Sequence, residues 1–532
     1  MNAHNIKNKL SMAINEPYYF VKYYFILLLI QSLFFVEPKM QNLINYLFIM
    51  WGSIMMLNNF VLSKQYLKIK TLYVFFACWI FSIFTVFLNR EAGNLIYSLK
   101  TIYLLSIVYF IFYTYFNLTK KSKNESLYSI VKPLVILQFI FAVLSILMFI
   151  FNISGYVLRP DEGFYFGVRY IFRNSGIINP LLAGIYNDPN YGVIINFSSI
   201  LLSIFMINNK RTGKFFKGIL YINILLEFYM LVLANSRAAY IGMVVCIIMI
   251  LSLLAYNFIR NHKNELKHLY HIGAIIIMVL ITLILGDFIR SESYKILQKP
   301  VTRVTLVLKN SKYDPKLKNS KLNFDKFNLI IKKVPLSDKY IGLYPKYFEH
   351  LGAHDDSIKL SIDNNNFEKI SEDKEDTDTK DILQAGNGRV GRWYESLKLV
   401  TKHRPLTGTS SRGTKYFAAK YASESEPFRR LNEGQDPVNS LIRFLLHYGW
   451  ISFILLLSFG LFVIVNIIKN IKKYEKVNYN YILIFGLVGY LLVISMFLSA
   501  LLDVCSFYSA TLAFLLGYLE FVKPQDEEKI NE

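Results

Sequence analysis

What constrains this chain most is the length of its apolar runs. A bilayer's hydrocarbon core is about 30 Å thick and asks for roughly 20 apolar residues per helix, whereas a soluble helix shows only a narrow apolar stripe that recurs every three to four residues. Twelve runs meet or approach the bilayer length, at 18–36, 43–62, 71–88, 95–116, 134–153, 191–207, 219–234, 238–258, 272–289, 448–468, 479–498 and 505–521. The pattern predicts an all-α integral membrane protein of about 12 transmembrane helices. Residues 1–289 would supply helices 1–9, and 448–532 helices 10–12 with a short tail. Between helices 9 and 10, residues 290–447 form one large connection, long enough for a small domain of its own.

Charge alternates with the runs. Five connections, 63–70, 119–132, 208–217, 260–268 and 469–476, hold three or four Lys or Arg each. The intervening ones, such as 37–42, 89–94 and 235–237, hold one at most. By the positive-inside rule the basic set is cytoplasmic, so both termini are cytoplasmic and the 290–447 connection is extracytoplasmic. Basic loops beside anionic headgroups also account for much of the formal charge of +22, with no nucleic acid required. No small-residue cleavage site follows NIKNK, so the first run is expected to be retained rather than removed as a signal peptide. Cys78, Cys246 and Cys505 all lie in apolar runs, which suggests neither a disulfide framework nor a Cys-based zinc site.

Two extracytoplasmic connections are long. The first, 154–190, holds Arg159, Arg169 and Arg173. The second contains an acidic, nearly apolar-free stretch at 363–381, expected to be a mobile, solvated insertion. No Gly-rich phosphate loop, internal repeat or metal-ligand pair at helical spacing is visible, and the eight histidines are scattered. No cofactor and no metal is therefore expected.

Arginine and carboxylate placement points to chemistry. Arg237 stands in ANSRAAY at a tight hairpin between two runs. It is either an interfacial anchor that snorkels to water or a phosphate ligand, since a guanidinium fork matches two phosphate oxygens. Residues 386–417 open with glycines, continue with helical composition from Arg392 to Lys402, and stop at Pro405 and Gly408. Arg389 would stand at the approach to that helix's N-terminus, where anions are favoured. Arg389 and Arg392 have a second reading, as salt-bridge partners of the acidic insertion. In DPVNSLIRFLLHYGW, Asp436 is an N-cap or a general base, Asn439 a side-chain donor, and Arg443 and His447 share one helical face. Lys100 and Glu227 fall inside apolar runs, an expensive position. They are expected to form an ion pair, with a site role for Glu227 as the other reading.

Taken together, these segments resemble the superfamily of O-antigen polymerases and O-antigen ligases, over roughly residues 180–520. Ser236-Arg237 is similar to its serine–arginine pair. Gly388-Arg389, Trp393, Pro405 and Gly408 resemble the run near the end of its large loop, Asn439 with Tyr448-Gly449 its late loop-to-helix element, and Asn190 in YNDPNYGV its Pro-Asn entry into an earlier span. One departure stands out: ligases of the family read His-Asn where this chain has Val438-Asn439. Valine cannot accept a proton, which points to the polymerase side or to a base elsewhere, Asp436 or His447.

The resemblance implies a GT-C-like fold, in the bacterial inner membrane, and an inverting glycosyl transfer without metal. The donor would be an undecaprenyl-diphosphate-linked oligosaccharide, and a flippase and a chain-length regulator would be partners beside the bilayer. A base must take the acceptor's proton while cations stabilise the departing diphosphate. The cationic role falls to Arg237 and Arg389, with Arg392, Arg159, Arg169 or Arg173 assisting. A ligase that delivers glycan to lipid A–core is the first rival, and a flippase of lipid-linked sugars is the second.

Overall fold

The computed structural model describes residues 16–33, 36, 38–92, 95–119, 122–158, 163–173, 176–186, 189–261, 266–296, 301–308, 327–334, 389–421, 428–432, 437–474, 476–498 and 506–524. Each of the twelve apolar runs contains a helix. In chain order these are α1 (Pro17–Gln31), α2 (Pro38–Leu57), α3 (Lys70–Leu88), α4 (Leu95–Ile107), α5 (Lys123–Ile150), α6 (Pro189–Ile207), α7 (Lys214–Ala234), α8 (Arg237–Asn261) and α9 (Leu266–Ile296). After the large connection come α10 (Arg389–His403), α11 (Thr414–Tyr421), α12 (Ser440–Lys473), α13 (Tyr479–Ser495) and α14 (Phe507–Phe521). α10 and α11 belong to the connection, so the apolar helices are α1–α9 and α12–α14. Among the described residues nine helices are long and apolar enough to cross a membrane, while α13 and α14 are apolar but shorter, and α1, of 15 residues, is shorter too. The chain is a multi-pass membrane protein.

Helices are what an apolar run must form in hydrocarbon, because no water is present to satisfy a bare backbone N–H or C=O. Their association rests on close packing. Aromatic rings fill the interior, with Phe25 edge-on to Phe112 at 4.9 Å and to Phe514 at 5.2 Å. Small residues let backbones approach: a Cβ added at Gly486 would meet Ile250 at 2.5 Å, so α13 lies directly on α8. One end of the bundle gathers the basic connections. There Arg260 donates to the Lys472 carbonyl at 2.9 Å and Arg211 pairs with Glu125 at 3.1 Å.

The opposite end carries a feature not expected from the sequence. Five strands, β1 (Ile153–Leu158), β2 (Gly163–Arg173), β3 (Gly176–Gly184), β4 (Val301–Leu308) and β5 (Phe327–Val334), form one sheet in the order β3-β2-β1-β4-β5. β1 leaves the end of α5 and pairs in parallel with β4, which follows α9, with Ile153 opposite Thr302. The sheet thus ties the first long connection to the start of the second. All-α describes the membrane part; the connections add this sheet. The helices also outrun the expected spans. α9 continues to Ile296 and α12 begins at Ser440, which makes Arg290 and His447 helical residues.

Candidate functional site

The end that bears the sheet also collects the residues singled out by charge. α7 stops at Ala234 because Asn235 adopts a left-handed conformation (φ 49°), one that Asn tolerates better than most residues. Ser236 and Arg237 then start α8. The Ser236 hydroxyl is buried and donates to Asn190 Oδ1 at 2.9 Å, at the beginning of α6. Two of the resembling motifs, far apart in sequence, are therefore one contact. Arg237 itself is exposed, and no carboxylate pairs with it among the described residues. It stands where the first N–H groups of α8 have no partner within the helix and the helix dipole is positive.

Arg389 is the first residue of α10, at the N-terminus anticipated for it. It is half-buried, and no described carboxylate pairs with it. The acidic insertion 363–381, its alternative partner, lies outside the described residues. Farther along α10, Glu395 is held by Arg430 at 3.1 Å and accepts the backbone N–H groups of Arg430 and Leu431 at 3.0 and 3.2 Å. Burial nevertheless raises the Glu395 carboxyl above the usual carboxylate range, against these lowering contacts. A Cβ at Gly391 would lie 2.3 Å from the Arg430 guanidinium, so this glycine makes the room for that ion pair.

Behind α10 the chain crosses α12 backbone to backbone. α12 contains a break at Gly449 (φ 75°, ψ 179°), which frees the carbonyls of Leu446 and His447 and the N–H of Trp450 from helical bonding. Residues 405–410 take them up: Thr409 N–H donates to Leu446 O, Ser410 N–H to His447 O, and Trp450 N–H to Pro405 O, each at 2.8 Å. Asn89 fixes this crossing from α3's end by donating to the carbonyls of Thr407 at 2.9 Å and Gly408 at 3.3 Å. Arg404 donates to Asn89 and lays its guanidinium over the Phe417 ring at 4.3 Å.

At the head of α12, Asn439 and not Asp436 is the N-cap. Its Oδ1 accepts the N–H groups of Leu441 and Ile442 at 2.9 and 3.0 Å, which corrects the expectation that Asp436 caps this helix. Asp436 lies outside the described residues. The acceptor atom of Asn439 is thus committed to the helix, leaving Nδ2 as its donor. Val438, in the place of the ligase histidine, packs against the main apolar core. His447 is 1% exposed, one turn from Arg443 on the same helix. Replacing Asn439 by Ala is expected to lower stability by about 1 kcal/mol, and by Asp to leave it nearly unchanged, since a carboxylate accepts the same two N–H groups. Thermal unfolding in detergent checks this; an Asp variant that melts with the Ala one would refute the cap.

Of the remaining candidates, Arg169 sits in β2 opposite Leu181 and Arg173 opposite Gly176, while Arg159 is outside the described residues. The expected Lys100–Glu227 ion pair does not form. Lys100, on α4, donates through Nζ to Asn42 at 2.8 Å and lies over the Tyr46 ring, both on α2. Glu227 is fully buried on α7 and, with the Asn196 amide turned so that its nitrogen faces the acceptors, receives that N–H at 2.9 Å. Amphipathic Lys100 reaches the bundle's flank, whereas Glu227 is met by the neutral donors Asn196 and Ser199 on α6, which lowers the cost of burying a carboxyl. Among the described residues, no three His, Cys, Asp or Glu side chains gather where they could hold a metal ion.

Sequence reasoning missed two arginines: Arg404, at the crossing, and Arg290, 4% exposed near the end of α9. Arg404 was signalled by its place just before Pro405; Arg290 stands at the edge of an apolar run, indistinguishable there from an ordinary anchor.

Residues 222–457 match the model of the family described as O-Antigen ligase. That span runs from within α7 to the early part of α12 and includes Arg237, Arg290, Arg389 and Asn439. No curated protein and no solved structure matches the chain. Over that span, less than half of its length, the chain is similar to the O-antigen ligases.

Proposed function

We propose that this multi-pass membrane protein, which carries the domain of the O-antigen ligase and polymerase superfamily, is a polysaccharide polymerase of the bacterial inner membrane. It moves a glycan from a polyprenyl-diphosphate donor to the sugar of another lipid-linked repeat unit, at the outer face. The observation that carries the reading is Arg237, exposed and without a carboxylate partner among the described residues, on the N-terminus of α8 beside the Ser236–Asn190 contact. A cation so placed is poised for a departing diphosphate, whose charge grows as the glycosidic bond breaks. Arg389, also at a helix N-terminus and also without a described carboxylate, is the second cation, with Arg392, Arg169 and Arg173 as further candidates. Asp436 is the proposed base: His447 is buried, and bringing it to an acceptor hydroxyl would require opening the crossing at Gly449. The transfer inverts the anomeric centre and relies on arginines for the charge that a metal supplies elsewhere. In this reading the basic end of the bundle is cytoplasmic.

The ligase reading is favoured by one observation, the match of residues 222–457 to the O-antigen ligase family. Val438 speaks against it, because a side chain packed against the apolar core and unable to take a proton stands where ligases have histidine. Purified protein in liposomes, supplied with undecaprenyl-diphosphate-linked repeat units alone, is expected to give a ladder of lengthened lipid-linked chains. Products that appear only when lipid A–core is added would make it a ligase. No product under either condition, with repeat units crossing the bilayer instead, would make it a flippase.

A further inference from the structure

Arg290 combines burial with unmet hydrogen-bonding capacity. Its Nη2 donates to Asp287 Oδ1 at 2.7 Å, yet among the described residues Nε and Nη1 have no partner. The ion pair is lopsided: the Arg290 side chain is 5% exposed and that of Asp287 85%. An anchoring arginine near a helix end ordinarily turns outward and snorkels to water. This one turns inward, and leaving a buried charged donor unsatisfied is costly unless something completes it.

What it turns toward follows from its neighbours. Tyr294, one turn later on the same face of α9, donates to the Leu233 carbonyl at 3.4 Å, at the end of α7. Tyr240, one turn into α8 from Arg237, donates to Asn235 Oδ1 at 3.1 Å and lies within electrostatic reach of both Arg290 and Asp287. The face of α9 that carries Arg290 is therefore packed on the hairpin that ends in Ser236-Arg237.

We propose that Arg290 is an anion-binding residue that takes the phosphate of a membrane lipid between α8 and α9, with Asp287 holding its place when no lipid is bound. The inference rests on the proposed function for the identity of that lipid, the diphosphate donor, for which Arg290 would supply the grip nearest the bilayer. Phospholipid headgroups share the chemistry, so the test carries both. Binding of undecaprenyl diphosphate and of phosphatidylglycerol to the purified full-length protein would be measured by native mass spectrometry for wild type, Arg290→Gln and Asp287→Asn. Arg290→Gln is expected to weaken binding about 10-fold or more, the loss of one to two charge-assisted hydrogen bonds. Asp287→Asn, which leaves the arginine in place and removes its competitor, is expected to bind as well as wild type or better. A loss confined to the diphosphate identifies the donor; an equal loss for both lipids identifies the site as a headgroup site. Wild-type binding by Arg290→Gln overturns the proposal, and so does weakened binding by Asp287→Asn, which would mean that the pair is structural. Failure of the polymerase reading would register differently, as wild-type protein that binds the diphosphate but builds no chains.

Discussion

Arg237→Ala is expected to reduce glycan transfer by about 10²- to 10³-fold, the usual effect of removing one preorganised group that stabilises charge developing in a transition state. Two features of the site argue for an effect of this size. The guanidinium is exposed with no described carboxylate to neutralise it, so its charge is available to a substrate. Its helix also presents unsatisfied N–H groups at the same point, and the two act on one anion. Arg237→Lys is expected to recover only part of the rate, because an ammonium keeps the charge and loses the planar fork. Arg389→Ala is expected to fall in the same range. If both cations hold the same diphosphate, the double variant will lose less than the product of the two single losses. The measurement is surface polysaccharide length in a strain lacking the gene, complemented with each variant at matched membrane abundance. Long chains retained by both single variants would remove these arginines from the site.

The helices were legible in the sequence because partition into a bilayer is a property of each run by itself. Arg389 at the start of a helix was legible for a similar reason, since Gly-rich approach, helical composition and Pro405 are all local signals. The sheet was not, although VTRVTLVL carries β-branched residues in the density that strands favour. Its pairing joins β1 to β4 across some 150 residues, and nothing in either segment names the other. The Lys100–Glu227 expectation failed for a related reason. Two charges in apolar runs invite pairing when only the runs are known, but the neutral donor Asn196 on the neighbouring helix was nearer to Glu227. Asn439 was singled out as a donor when its acceptor atom does the local work, a distinction that only the backbone geometry at Ser440 draws. Arg290 was invisible because a run's edge does not reveal which way its arginine faces.

The largest expected effect on stability is at Gly449. Its conformation, φ 75° and ψ 179°, lies in a region essentially confined to glycine, so any side chain adds roughly 1–3 kcal/mol of backbone strain. Sterics add to this, for a Cβ there would lie 2.5 Å from the Leu406 carbonyl oxygen and 2.9 Å from the Gly408 nitrogen, neither of which can move without breaking the crossing. Gly408 answers it from the other side, with φ 56° and a Cβ position 2.6 Å from the His447 carbonyl carbon. Three backbone hydrogen bonds depend on this approach, and they hold the segment that follows α10 against α12. Gly449→Ala is therefore expected to lower stability by more than about 3 kcal/mol, within the range of the most damaging single substitutions, and to abolish transfer by unseating the helix that starts at Arg389. Gly460, on the same helix with nothing within 4 Å of its Cβ position, is the control: Gly460→Ala is expected to be neutral or to stabilise by up to about 1 kcal/mol, as alanine does in a helix interior. Thermal unfolding of the purified variants in one detergent checks both. If Gly449→Ala melts with Gly460→Ala, the close approach of the two chains is not what positions Arg389, and the placement of that cation must rest on the cluster of Leu399, Val400, Leu445 and Leu446 beneath α10.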